Sequence, residues 1–459
     1  MPAIAGIFLF IMQHPKRIAI IGSGLVGSLL AIYLEKRGHQ VDVYDRRPDI
    51  RQTEFSGRSI NLAMSDRGWK SLRSVGIDEE IKSLGIPMDK RAIHPMEGDV
   101  YFQYYGKEGE AIYSISRGVL NKKMIDLAEE AGAKFIFESK VWDVALPEAT
   151  IFLGESENEP WSPVAYDHVF GADGAFSRVR HKMQRRSLFN YSQEFLEAGY
   201  KELTIPANPD GTHKLDKNSL HIWPRGNFML IALPNLDGSF TCTLFMPLQG
   251  DNSFEALHDE KTVENFFGHY FEDVRGEIDN LKKYFFQNPT STLVTIKCFP
   301  WTYWDKVALV GDSAHAIVPF YGQGMNAGFE DIALLNDLMN VHGDDWETIF
   351  KQYEQQRKPN ADAIAELSLR NFREMSSKTA DPDFLLRKKI ENWFSEKHPD
   401  KWIPLYTRVT FSTKPYAEAL HEDERQQRIM DEVMKMENIK GEWQTERVEA
   451  RILELLASS

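Results

Sequence analysis

Cysteine is nearly absent from this chain: Cys242 and Cys298 are the two in 459 residues. A disulfide-stapled scaffold is thereby excluded. Each cysteine sits in a strand-like apolar run, so both read as buried thiols of a reducing, cytoplasmic setting. Basic charge is in deficit. Lys and Arg total 54 against 68 Asp and Glu, a net charge of −14, which argues against a nucleic-acid partner. Long apolar runs are missing as well. Ile4 to Met12 falls far short of the ~20 residues that cross a bilayer, and no basic region precedes it. No stable membrane insertion is expected, and Met12 is an alternative start to Met1. The 13 histidines lack ligand spacing, so no metal is expected. Neither a repeat nor a low-complexity segment is present.

Apolar and aromatic residues are plentiful, at 42% and 12% of the chain. A chain of this length divides into two or three lobes, and a monomer or homodimer is expected. Three glycine-and-acid motifs stand out: GSGLVG at Gly22–Gly27, GADG at Gly171–Gly174 and GDSAH at Gly311–His315. The first has the context it needs. A buried-type strand from Arg17 to Ile21 precedes it, and a helix from Leu25 to Lys36 follows, with Leu25, Val26, Leu29, Leu30, Tyr33 and Leu34 facing inward. Gly22 permits the tight turn, Gly24 the approach of a pyrophosphate, and Gly27 close helix–strand packing. Free N–H groups at the helix start favour phosphate. A second strand, Val41 to Tyr44, ends at Asp45, about twenty residues on, where a carboxylate accepts from a ribose hydroxyl. Arg46 and Arg47 would suit a 2′-phosphate, but the acid argues against it.

The trio as a whole points to FAD held by distant segments. His168–Gly174 is similar to the strand-to-turn segment of flavoprotein hydroxylases with the glutathione-reductase-like FAD fold. Val307–Asp312 is a further buried strand closing on an acid, and Pro319–Asn326 leads into a helix over Ala327–Met339. That helix start offers positive potential where a reduced flavin gathers negative charge. Such chemistry needs no histidine base, so His315 is given no catalytic role. Only one complete nucleotide fingerprint is present, a feature shared with the hydroxylase-type flavoproteins that the chain resembles, and that resemblance implies an NADPH that visits and leaves.

The expected architecture is α/β. A glutathione-reductase-like FAD-binding Rossmann domain is assembled from 12–100, 108–185 and 290–375. A mainly antiparallel substrate sheet spans 186–289 with 101–107, and a C-terminal helical region covers 376–459. Within the sheet, strand-like runs at Leu220–Trp223, Phe228–Leu233 and Phe240–Phe245 are separated by turns at Pro224–Asn227 and Asn235–Gly238. Glu255 to Lys283 reads as helical cover. Pro382, Pro399, Pro404 and Pro415 interrupt the helical tail.

A closer resemblance rests on Gly57–Ala63, Ser114–Arg117, His221–Pro224, Ile231–Leu236, Pro319–Asn326, Glu374–Lys378 and Val409–Ser412. Together they resemble the kynurenine 3-monooxygenase family from about Arg17 to Ala417. That likeness implies oxidation of NADPH by bound FAD, addition of O2 as a C4a-hydroperoxide, and transfer of oxygen to L-kynurenine to give 3-hydroxy-L-kynurenine. It implies flavin contacts at Gly22, Gly24, Leu25, Gly27, Asp45, Arg46, Arg58, Ala63, Arg117, Asp173, Asp312, Gly324, Met325 and Asn326, with Asp312 at the ribityl chain. It places the substrate ring among Met229, Ile231, Leu233, Phe245, Pro319, Phe320 and Met375. The amino-acid end would be held by Arg91, Tyr105, Asn371 and Tyr406. Read from the residues alone, the ring positions are ordinary core residues, and the clamp is a surface arginine with three core or edge residues. Tyr321 departs from relatives with His there, and the charged tail departs from members ending in a membrane-associated segment. A hydroxylase of another aromatic acid, such as a hydroxybenzoate, and a flavin-binding module without turnover remain as alternatives.

Overall fold

The computed structural model describes residues 14–52, 60–105, 109–156, 158, 160–377 and 381–458. Arg58 therefore lies outside the described residues, as do Met1 and Met12, and the Met375 side chain is not described. Arg17–Ile21 carries Ile18, Ala19 and Ile20 with no exposed surface, the pattern of a strand covered on both faces. It is central in a six-stranded sheet, between His168–Gly171 and Gln40–Tyr44, both parallel to it. Lys134–Ile136 extends one side in parallel. Val307–Leu309 extends the other, with antiparallel Thr302–Tyr303 at the edge.

Register decides what this sheet is for. Ile21 pairs with Gly171, and Gly171 with Leu309. Gly22, Ala172–Gly174 and Val310–Asp312 therefore emerge side by side from the carboxyl ends of adjacent strands. That is where an open parallel sheet presents a ligand crevice. The Leu25–Lys36 helix follows the first strand as its sequence predicts. The single inward face does not hold: nine residues from Leu25 to Leu34 are buried, Gly27, Ser28, Ala31 and Ile32 among them. The reason is a second covering layer, since the Arg117–Glu130 and Gly324–His342 helices pack against it.

The second large sheet has seven strands, in the order Ser291–Phe299, Asn190–Ile205, Phe240–Pro247, Phe228–Pro234, Ser219–Arg225, Lys90–Ile93, Tyr101–Tyr104. Its neighbours are antiparallel except Lys90–Ile93 beside Ser219–Arg225. Arg225 pairs with Phe228 across a two-residue turn whose Gly226 has φ +71°, the left-handed backbone such hairpins require. Lys90–Ile93 and Ser291–Phe299 hydrogen-bond into this sheet, whereas the sequence groups them with the flavin segments. Short runs carry no sign of which sheet they will join. Alternation then sorts the faces. Phe228, Leu230 and Ala232 join a core with Phe266, Phe267, Phe271 and Phe285 from the covering helices, while Met229, Ile231 and Leu233 point the other way.

The prolines fall at the interruptions of the helical tail, Pro399 just past the end of one helix and the others at the starts of helices. Pro382 opens Pro382–Lys397, and Pro404 and Pro415 precede Leu405–Thr410 and Tyr416–Val433. The Trp346–Ser377 helix runs 32 residues through Pro359. Among the described residues, no helix is long and apolar enough to cross a membrane.

Candidate active site

Between the two sheets and the C-terminal helices lies a cavity of about 2270 Å³. Its floor at the parallel sheet is lined by Gly22, Gly24, Leu25, Asp45, Arg46, Ala63, Arg117, Asp173, Asp312, Gly324 and Met325. Backbone crowding there explains the glycines. A Cβ at Gly22 would stand 2.4 Å from the Ala172 carbonyl oxygen, and one at Gly27 2.1 Å from that of Gly22. Gly27 does not line the cavity; it lets helix and strand close beneath it. A Cβ at Gly24 would meet nothing, which leaves that backbone open to an approaching group.

The residues present fit a dinucleotide. Both the Leu25–Lys36 and Gly324–His342 helices begin at the cavity without a side-chain cap, leaving N–H groups unpaired. Asp173 is half-buried, accepts from the backbone N–H of Arg178 at 2.6 Å through one oxygen, and leaves a buried Oδ1 without a partner. Burial pushes its carboxyl above the ordinary range, and a hydroxyl donor at Oδ1 would relieve that cost. Asp312 is exposed to the cavity, with no hydrogen bond to its carboxylate among the described residues. Asp45 is more engaged than its spacing suggests. Ser23 donates to it from N–H and hydroxyl at 3.0 and 2.7 Å, and Arg47, not Arg46, pairs with it at 2.9 Å. Burial would raise its pKa, but the bonds from Arg47 and Ser23 win and hold it at about 2.

The Asn326 side chain turns away from the cavity. It is fully buried, donating to the Ala63 and Gly322 carbonyls at 2.9 Å while the Ser65 N–H donates to its side-chain oxygen. An amide at that position staples two backbone segments that line the floor. His315 is likewise structural: Nε2 lies 2.6 Å from the buried Asp331, which Arg357 also holds. Cys242 and Cys298 are free, buried thiols.

Above the floor, Met229, Ile231, Leu233, Phe245, Pro319 and Phe320 line a slot. Phe320 stacks on Phe372 at 4.4 Å and tilts against Phe245 at 5.1 Å. Arg91, Tyr105 and Tyr406 converge at the slot's far end from distant elements, and Asn371 lines the same cavity beside Phe320. Arg91 comes from the Lys90–Ile93 strand, Tyr105 follows the Tyr101–Tyr104 strand, Asn371 sits near the end of the Trp346–Ser377 helix, and Tyr406 starts the Leu405–Thr410 helix. The Arg91 guanidinium lies 4.2 Å from the centre of the Tyr406 ring and 5.4 Å from that of Tyr105, and the two rings stack at 5.3 Å. No carboxylate pairs with Arg91 among the described residues. Its Nε and the Tyr105 hydroxyl are buried without a hydrogen bond of ordinary geometry. Burial holds the Tyr105 hydroxyl well above its usual pKa, so it remains a neutral donor. Asn371 donates Nδ2 to the Phe320 carbonyl at 2.7 Å, which turns its oxygen into a remaining acceptor. Sequence reasoning gave no role to Phe411, which packs 5.8 Å from Tyr105 and 6.2 Å from Tyr406, although it lies within the quoted Val409–Ser412 motif.

The family model for the FAD binding domain matches residues 16–368. The solved 2-methyl-3-hydroxypyridine-5-carboxylic acid oxygenase superposes with a TM-score of 0.64 at 19% identity, covering 80% of this chain and 94% of that one. PqsL of P. aeruginosa, solved in complex with 2-aminobenzoylacetate, gives 0.64 at 16% identity over 79% of this chain and 97% of its own. At these identities the likeness shows the fold. Fold, family model and relatives together define an FAD-dependent aromatic monooxygenase. Kynurenine 3-monooxygenases from Christiangramia forsetii and Flavobacterium johnsoniae are 66% and 68% identical, each over 97% of this chain and 100% of their own length. That from Dictyostelium discoideum is 43% identical over 92% of this chain and 93% of its own. The chain belongs to the kynurenine 3-monooxygenase family.

Proposed function

We propose that this protein hydroxylates L-kynurenine to 3-hydroxy-L-kynurenine, with NADPH and O2 as co-substrates. The observation that carries the reading is the unpaired Arg91 guanidinium at the end of an aromatic slot. A half-buried cation without a carboxylate partner is costly to leave so, and the carboxylate of an amino-acid substrate supplies one. Bound FAD, once reduced by NADPH, supplies the activated oxygen. The chain's own residues do the rest. Gly22, Gly24, the two uncapped helix starts, Asp173 and Asp312 hold the dinucleotide, in a lobe read as glutathione-reductase-like and built from 12–100, 108–185 and 290–375. Arg91 takes the substrate carboxylate in a planar fork, Tyr105 donates to it, and the Asn371 oxygen accepts from the ammonium. Met229, Ile231, Leu233, Phe245, Pro319 and Phe320 fix the ring and keep water out. The aniline nitrogen already activates the ortho carbon, so no side chain has to remove a proton to make the ring nucleophilic. A cytoplasmic monomer or homodimer fits this reading. The test is NADPH oxidation by the yellow protein with and without L-kynurenine, with product identified by mass. Equal stimulation by 4-hydroxybenzoate, or hydroxylation of that acid alone, would refute it.

A further inference from the structure

Arg67 stands outside the cavity, yet it joins the cavity's two sides. It belongs to the Asp66–Arg73 helix, and its side chain has no exposed surface. The guanidinium donates Nη1 to Glu330 at 2.7 Å, Nε to the Val409 carbonyl at 3.2 Å and Nη2 to the Lys414 carbonyl. Its plane lies 3.8 Å from the centre of the Tyr416 ring. Glu330 is held in turn by Arg357 at 2.6 Å, and Arg357 by Asp331 at 2.7 Å. Asp331 accepts from the Gly311 N–H at 2.9 Å, at the foot of the floor. A buried chain of charge-assisted bonds thus runs from the Gly311–Asp312 turn to the backbone of the C-terminal segment. Tyr416 adds a parallel strand of it by donating to Gln323 at 2.8 Å, next to the uncapped Gly324 helix start.

The captured segment is the one that roofs the slot. Leu405–Thr410 carries Tyr406, Phe411 follows at once, and both rings line the cavity. The last carbonyls of a short helix have no partner within it. Here the Val409 carbonyl is satisfied by Arg67. We propose that Arg67 is a positioning residue for substrate binding: by capturing the Val409 and Lys414 carbonyls it sets the height and tilt of Tyr406 over Arg91. The inference rests on the reading of Arg91 and Tyr406 as the substrate clamp. A lysine cannot substitute, because one ammonium cannot meet two carbonyls and Glu330 in a plane while stacking on Tyr416.

Arg67→Lys keeps the charge beside Glu330 and loses the fork. The KM for L-kynurenine is expected to rise about tenfold or more, the scale of a lost hydrogen bond to a charged group. The change in kcat should be much smaller, with FAD content and kynurenine-independent NADPH oxidation at wild-type values. A purely structural ion pair would lower stability without this split. Combination with Tyr406→Leu decides the route: if Arg67 acts through Tyr406, the double variant has the KM of Tyr406→Leu alone. Multiplication of the two KM increases, or a wild-type KM in Arg67→Lys, overturns the proposal. A wild-type KM in Tyr406→Leu instead defeats the clamp reading. Should Arg67→Lys fail to fold, Tyr416→Leu removes the ring beneath the guanidinium without touching charge. A smaller KM rise, absent on the Tyr406→Leu background, then supports the proposal, and an unchanged KM overturns it.

Discussion

Replacing Arg91 by methionine tests the clamp with a magnitude that the structure bounds. The side chain keeps comparable length and apolar packing between Tyr105 and Tyr406 but loses its charge. Truncating one partner of a buried, hydrogen-bonded charge pair costs roughly 2–5 kcal/mol, much of it from the carboxylate left unpaired. At 1.4 kcal/mol per decade this is a rise of roughly 30- to 4000-fold in Kd. Arg91 retains some solvent exposure, so water can partly solvate the orphaned carboxylate, and the lower end of the range, about 30- to 300-fold, is expected. The assay is equilibrium titration of the flavin absorbance with L-kynurenine, repeated with kynuramine, which lacks the carboxylate. Wild type should favour kynurenine strongly, and Arg91→Met should bind the two ligands almost equally. The free variant should also unfold at the same temperature as wild type or higher, since a half-buried cation without a carboxylate partner is removed. An unchanged Kd for kynurenine, or an equal loss for kynuramine, would refute the assignment of Arg91 to the carboxylate.

Asp312→Ala removes a free carboxylate from the cavity floor, so FAD affinity measured on the apoprotein should fall roughly ten- to hundredfold, the scale of a charge-assisted bond; a fully yellow variant would show that Asp312 does not face the cofactor. Asp45 has its folded pKa lowered from 3.8 to about 2, so its stabilisation is present above the unfolded value and is lost as pH falls through the folded one. Urea unfolding of the apoprotein should find wild type about 2 kcal/mol more stable than Asp45→Asn at neutral pH, the gap closing on acidification. A gap independent of pH would mean that the carboxylate is not the group responsible. Burial pushes the Cys242 and Cys298 thiols up to about 12; the native protein should therefore leave a disulfide reagent such as DTNB unreacted, and both thiols should titrate only after denaturation.

The nucleotide floor was legible in the linear chain because its demands are local. A strand that needs apolar residues on both faces, a turn with a φ of +113° at Gly22, and a helix so close that a Cβ at its Gly27 would stand 2.1 Å from the Gly22 carbonyl oxygen leave fixed residues at fixed spacing. The alternation of Met229, Ile231 and Leu233 with Leu230 and Ala232 was legible for the same reason, although which set faced a cavity was not. The use of the Asn326 side chain was not legible, because a motif shows which residue is required, not whether its side chain meets a ligand or the Ala63 carbonyl. Local chemistry in the sequence alone thus determined the strand–turn–helix unit, its acids and the period of each strand. Tertiary structure decided the rest. The pairing of Tyr44, Ile21, Gly171 and Leu309 across adjacent strands brought Asp45, Asp173 and Asp312 to one edge. Long-range packing brought Arg91, Tyr105 and Tyr406 from three elements to one point and Asn371 to the wall of the same cavity, and no local preference of any one of them encodes that meeting.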